Sequence, residues 1–161
     1  MYYLAIDNGV SGSIASVTDK GIVNYWLMPI RRELNYTKKK AWLNRIDTIK
    51  LTDILNPYRD GGAFCLWERP MINPLRWRAS VSALRALEAT LIVLEGLKIP
   101  FRYIDSKEWQ RAMLPQGLQK EELKAASDSV AHRLFPTVEF TKNGGGDSLL
   151  IAEYARRKDK P

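Results

Sequence analysis

The segment Ala63–Trp67 constrains this chain most: five consecutive apolar residues, AFCLW, preceded by the breaking stretch Pro57 to Gly62 and closed by Glu68. A strand that is apolar at every position is buried on both faces, so it lies in the middle of a sheet covered on both sides. Tyr2–Asp7 reads as another buried strand, Ser13–Thr18 as its hairpin partner and Ile22–Pro29 as a third, with Asp19-Lys20-Gly21 turning between the last two. From Thr37 the sequence becomes lysine-rich, and Trp42, Ile46 and Ile49, spaced four and three, predict one amphipathic helix that ends at Pro57. A long helix from Trp77 to Lys98 carries the stripe Leu84, Leu87, Leu91 and Leu94. A strand at Phe101–Ile104 and helices at Lys120–Leu134 and Asp147–Lys158 follow. Hairpins first and strand–helix alternation afterwards predict a single α/β domain over residues 1–161, a mixed five-stranded sheet flanked by helices.

Three acids fall at the ends of these elements. Asp7 ends the first strand, Glu68 ends the central one in FCLWERP, and Asp147 opens the last helix in GGGDSLLIAEY. Functional groups of open α/β sheets collect at the carboxyl ends of strands. Clustered carboxylates raise one another's pKa unless a cation neutralises them, and hard oxygen donors suit Mg²⁺ or Mn²⁺. Two such ions about 4 Å apart can support phosphodiester hydrolysis. Each acid also admits a plainer role: Asp7 as a cap for the Gly-Ser turn, Glu68 as a partner of Arg69 or Arg76, Asp147 as an N-cap. Cys65 is the one cysteine and His132 the one histidine, so a Cys-rich zinc site and His-based triad chemistry are disfavoured. Cys65 is expected as a small buried hydrophobe and His132 as structural. No basic–apolar–small leader opens the chain and no apolar run reaches 18 residues, so a cytoplasmic protein, of a bacterium or of a phage in its host, is expected.

In order along the chain, LAIDNGVSGSIA, WERP, GLKIPFRYIDSKEWQRAML, KEELKAASDSVAHRLFP and DSLLIAEYARR resemble the RuvC-type Holliday junction resolvases, above all their phage and prophage versions. The resemblance covers most of the chain and leaves the stretch from about Lys20 to Asp60 without a distinctive match. It implies a ribonuclease-H-like fold, a homodimer, and divalent-metal cleavage of four-way DNA junctions by paired nicks, with two Mg²⁺ or Mn²⁺ ions per site and no small-molecule cofactor. Asp7, Glu68 and Asp147 match the family's acids of the first strand, the central strand and the last helix. Members carry a fourth ligand about one turn before the last acid; the nearest position here is Asn143, an amide in KNGGGDS. Lys124 matches a lysine beside the scissile phosphate, and Lys120 competes for that role.

The net charge of +7, with a pI near 9.6, favours an anionic partner. Arg69, Arg76, Arg78 and Arg85 cluster after Glu68 around Trp77, and are expected to meet phosphates and an unpaired base of branched DNA. Lys107 and Arg111 are plausible strand contacts, and Lys38 to Lys40 either contact a DNA arm or are solvated. Trp109, Trp26 and Trp42 are expected in packing roles. The Leu84–Leu94 stripe serves either dimerisation or packing on the sheet. Three other functions share these features: a nuclease of the same fold acting on flaps or structured RNA, a junction-binding protein with weak or no cleavage, and a phosphate-transfer or nucleotide-binding domain built on the DNGVSGS turn, which the length of 161 residues disfavours.

Overall fold

The structure, a computed structural model, describes residues 1–35, 38–140 and 145–158. Seven strands and five helices follow one another along the described chain: β1 (Tyr2–Ile6), β2 (Ser13–Thr18), β3 (Val23–Leu27), β4 (Ile30–Leu34), β5 (Trp42–Ile46), α1 (Thr48–Leu55), β6 (Ala63–Glu68), α2 (Trp77–Gly96), β7 (Phe101–Ile104), α3 (Ser106–Met113), α4 (Leu123–Leu134) and α5 (Asp147–Lys158). The main sheet has the order β3-β2-β1-β6-β7; β1 to β3 are antiparallel, and β1, β6 and β7 run parallel. Strands β4 and β5 form a separate antiparallel pair.

Alternation along the strands splits the core into two layers. Tyr3 and Ala5 of β1 and Leu66 of β6 pack with Leu149, Leu150 and Ile151 of α5, Trp109 of α3 and Val130 of α4. Leu4 and Ile6 of β1 and Cys65 and Trp67 of β6 face the other way, onto Leu51 and Leu55 of α1 and Ala86, Val93 and Leu94 of α2. Strand β6 is therefore buried on both faces, as its composition requires. The α2 stripe is divided: Leu94 is buried in the core, whereas Leu84 is exposed. The buried positions Ala86, Thr90, Val93 and Leu94 follow the helical period instead.

Two expectations are corrected. The stretch from Thr37 to Pro57 is not one helix: Trp42 and Ile46 lie on a strand, and the helix starts at Thr48. A spacing of four is even, so it places two residues on one face of a strand as readily as on one face of a helix. Asp47 decides the boundary, because its carboxylate accepts the Lys50 N–H at 3.2 Å as an N-cap. Helix α3 has no counterpart in the sequence reading: its apolar positions Trp109, Ala112 and Met113 make a single i, i+3, i+4 set within eight residues, a short signal beside the longer helices. The lysine segment also opens later than its helix did in the sequence reading: Lys120 precedes α4 rather than lying on it.

The turn after β1 depends on a glycine. Asp7 N–H donates to Ser13 O at 3.0 Å and Gly12 N–H to Gly9 O at 3.1 Å, closing the chain back into β2. A Cβ on Gly12 would stand 2.1 Å from the Asp7 carbonyl oxygen, a backbone atom that cannot swing aside. Gly12→Ala is expected to cost about 2–3 kcal/mol, the range of steric overpacking, and to lower the melting temperature by about 5–10 °C for a chain of this size. Thermal denaturation followed by circular dichroism checks this against Gly96→Ala, whose Cβ meets nothing within 4 Å and which should leave stability nearly unchanged.

Candidate active site

The parallel register pairs Ile6 with Trp67, so the next residues, Asp7 and Glu68, fall side by side where β1 and β6 end. By alternation both share the face of Ala5 and Leu66, the face covered by α3, α4 and α5. The two carboxyl groups stand close enough for each to shift the other's titration. Burial, then the neighbouring charges of Glu68 and Asp147, hold the Asp7 carboxyl well above the usual aspartate range. Burial also raises Glu68, against the Trp109 indole N–H that donates to its Oε1 at 3.0 Å and favours the charged form.

Helix α5 crosses β1 and β2 and brings Asp147 to the same end of the sheet. Its start is fixed at several points: Ser148 Oγ is 2.7 Å from Ser13 Oγ, Tyr25 O–H donates to Gly145 O at 3.0 Å, and Gly146 N–H donates to Asp128 Oδ1 at 2.9 Å. Gly146 lies directly against α4, where a Cβ would come 2.3 Å from that of Ala131. Asp147 accepts a short hydrogen bond from Ser127 Oγ, and the Lys124 ammonium lies 3.4 Å from Asp147 and 3.6 Å from Asp128. Burial works against the Lys124 charge, but Asp147, Asp128 and Asp7 outweigh it and hold its pKa above the usual lysine value.

The structure therefore brings together Asp7, Glu68, Asp147 and Lys124 and adds three residues the sequence reading did not assign to the site. Trp109, expected only as core, is 1% exposed and also orients Glu68. Ser127 and Asp128 lie three and four residues after Lys124 on α4, a spacing that places them beside it on one helix face and was the available signal. Asn143 lies outside the described residues. Arg69 is exposed, with its guanidinium 5.2 Å from the Tyr103 ring centroid and 3.9 Å from Asp105. Arg76, Trp77 and Arg78 are exposed at the start of α2, and Lys107 and Lys120 are exposed on α3 and ahead of α4.

Among the described residues, no group of three or more His, Cys, Asp or Glu side chains is arranged to hold a metal ion. What converges is a pair, with Asp147 engaged by Ser127 and Lys124. A pair fits the donor chemistry of Mg²⁺, which is bound by one or two carboxylates with water filling its other positions. The raised Asp7 carboxyl is the cost that such a cation would relieve.

No protein-family model matches the chain, and no curated protein matches it. Solved structures do. Thermus thermophilus RuvC in complex with a Holliday junction substrate is 12% identical, with a TM-score of 0.60, over 98% of this chain and 97% of that one. A second T. thermophilus RuvC structure is 16% identical, with a TM-score of 0.56, over 98% and 96%. The protein has their fold, an α/β ribonuclease-H-like mixed five-stranded sheet flanked by helices. Among the described residues no helix is long and apolar enough to cross a membrane.

A raised folded-state pKa means that the folded protein keeps the Asp7 proton which the unfolded chain gives up near the ordinary value of ~3.9. Stability is then fullest below that value and falls as pH climbs towards the folded-state pKa. Asp7→Asn removes this loss. In the presence of chelator it should melt higher than the parent at neutral pH, with the difference shrinking towards pH 4, as melting curves across pH would show.

Proposed function

We propose that the protein is a divalent-metal-dependent, structure-selective endonuclease that resolves four-way DNA junctions by paired phosphodiester hydrolysis, acting as a homodimer. The observation that carries this reading is the Asp7–Glu68 pair at adjacent parallel strand ends with Asp147 and Lys124 across from it. Its setting is a fold similar to that of a RuvC bound to a Holliday junction.

Asp7 and Glu68 would hold Mg²⁺ or Mn²⁺, with Asp147 adding a third carboxylate; two ions would need all three and the position of Asn143. A bound ion supplies Lewis acidity and neutralises the charge of the phosphodiester. Trp109 holds one Glu68 oxygen by its indole N–H and so fixes the carboxylate beside Asp7. Lys124, kept protonated by its acid neighbours, is placed to bind a phosphate oxygen and to stabilise charge that develops on it. Two copies related by a two-fold axis would present two such sites to the two symmetric strands of a junction. Arg69, Arg76, Trp77, Arg78, Lys107 and Lys120 are the proposed DNA contacts.

One observation favours a second reading, a branched-DNA-binding protein with weak or no cleavage: Asp147 is engaged by Lys124 and Ser127 rather than by the other two acids. Cleavage of a labelled immobile four-way junction, compared with linear duplex, in Mg²⁺, in Mn²⁺ and with chelator, separates the two. Symmetric paired nicks confined to the junction and abolished by chelator are expected. Asp147→Asn should abolish cutting and keep junction binding, and Lys124→Ala should slow cutting about 100-fold. Junction bound but uncut in either metal would establish the second reading.

A further inference from the structure

The positive charge of this protein is concentrated in two segments. Residues 30–46 and 76–85 hold nine Lys and Arg against the single acid Glu33, a net +8; the whole chain is +7, so everything else sums to −1. The fold brings the two segments together. The β4–β5 hairpin stands against the first half of α2, tied to it by Glu33, which accepts from Arg45 at 3.0 Å and from Arg85 at 2.9 Å. Between them opens a cavity of about 810 Å³, lined by Lys39 and Trp42 of the hairpin segment and by Trp77, Arg78 and Arg85 of α2. That volume lies within the ~300–1,000 Å³ usual for ligand clefts.

Two indoles face this cleft largely uncovered: Trp42 is 60% exposed and Trp77 69%. Trp42 is not the packing residue its sequence context suggested. Arg32 lies over its ring, the guanidinium carbon 5.4 Å from the centroid. Glu33 is committed to Arg45 and Arg85, and Arg78 makes no ion pair among the described residues. The cleft offers large flat apolar surfaces beside the positive charge of Arg78.

A second copy of the chain would satisfy the indoles but set this basic face against its own like. Duplex DNA would satisfy the charge but keeps its base faces stacked inside. An unpaired strand supplies both, phosphates for the cations and free base faces for the indoles. We propose that the cleft between the β4–β5 hairpin and α2 holds a single-stranded DNA segment, with phosphates towards Arg78 and Lys39 and bases stacked on Trp42 and Trp77. This rests on the reading of the protein as a DNA-acting nuclease. It adds a strand-binding cleft built on the layer of Ile46 and Ala86, across the sheet from the face towards which Asp7 and Glu68 point.

The test is binding of a labelled oligothymidylate and of a blunt duplex to the full chain in chelator, by fluorescence anisotropy, where cutting plays no part. Trp42→Ala and Trp77→Ala should each weaken oligothymidylate binding about tenfold, with duplex binding changed by less than about twofold, and Trp42→Phe should recover most of the loss. Arg78→Ala should weaken both ligands and reduce the salt dependence by about one phosphate contact. Parent-like strand binding by Trp42→Ala would overturn the proposal, and so would an equal loss for strand and duplex. Dissociation of an oligomer by Trp42→Ala in sedimentation would also overturn it, by making the cleft an interface between copies. The nuclease reading fails on a separate assay, the absence of metal-dependent cutting, and that result leaves the strand-binding measurement intact.

Discussion

The parallel pairing of β1 with β6 is the constraint on which the site depends. Ile6 opposite Trp67 fixes the register, and the next residue of each strand is an acid. A slip of one residue would turn one acid to the other face, towards α1 and α2. The register is locked because both strands are buried on both sides, so any slip would bring the wrong side chain into each layer. The hydrophobic core thus enforces a carboxyl pair that electrostatics opposes, and the opposition shows at Asp7, raised by burial and then by the charges of Glu68 and Asp147. Core and site are in conflict at this point of the fold, and the core wins.

The helices on that face set the charge balance around the pair. Asp7, Glu68, Asp147 and Asp128 would carry four negative charges if all were ionised, against Lys124. That excess is what a divalent cation would reduce. In the proposed nuclease a phosphate would compete for Lys124 with Asp147, which lies 3.4 Å from it. Gly146 makes this possible, since a side chain there would push the start of α5 away from Ala131 and from Asp128.

The strands and the acids were legible because their signals are local. Five apolar residues in a row at Ala63–Trp67 can mean little else, and an acid directly after such a run is visible by eye. What was illegible depended on parity or on distant partners. Trp42 and Ile46 satisfy a strand and a helix equally, and a polar contact one residue later, at Asp47, settles the matter. Trp109 looks like any core tryptophan, because its donation to Glu68 spans 41 residues. Asp128 and Ser127 belong to the site through α5 packing on α4, which no spacing within α4 announces beyond their nearness to Lys124.

The charge distribution adds a constraint that neither layer shows alone. The carboxylates repel a polyanion, and a protein with the same +7 spread evenly would attract it in any orientation. Here the hairpin and the first half of α2 carry more than the whole net charge, on elements packed against the sheet layer opposite the acids. The net positive charge is therefore concentrated on one side of the sheet rather than spread evenly. For the nuclease proposed above, a nucleic acid would be drawn first to the hairpin side and would reach the acids around the strand ends, past Arg69 and the loop that leads into α2. Salt would screen the exposed arginines of the basic side more than the half-buried Asp7 and Glu68.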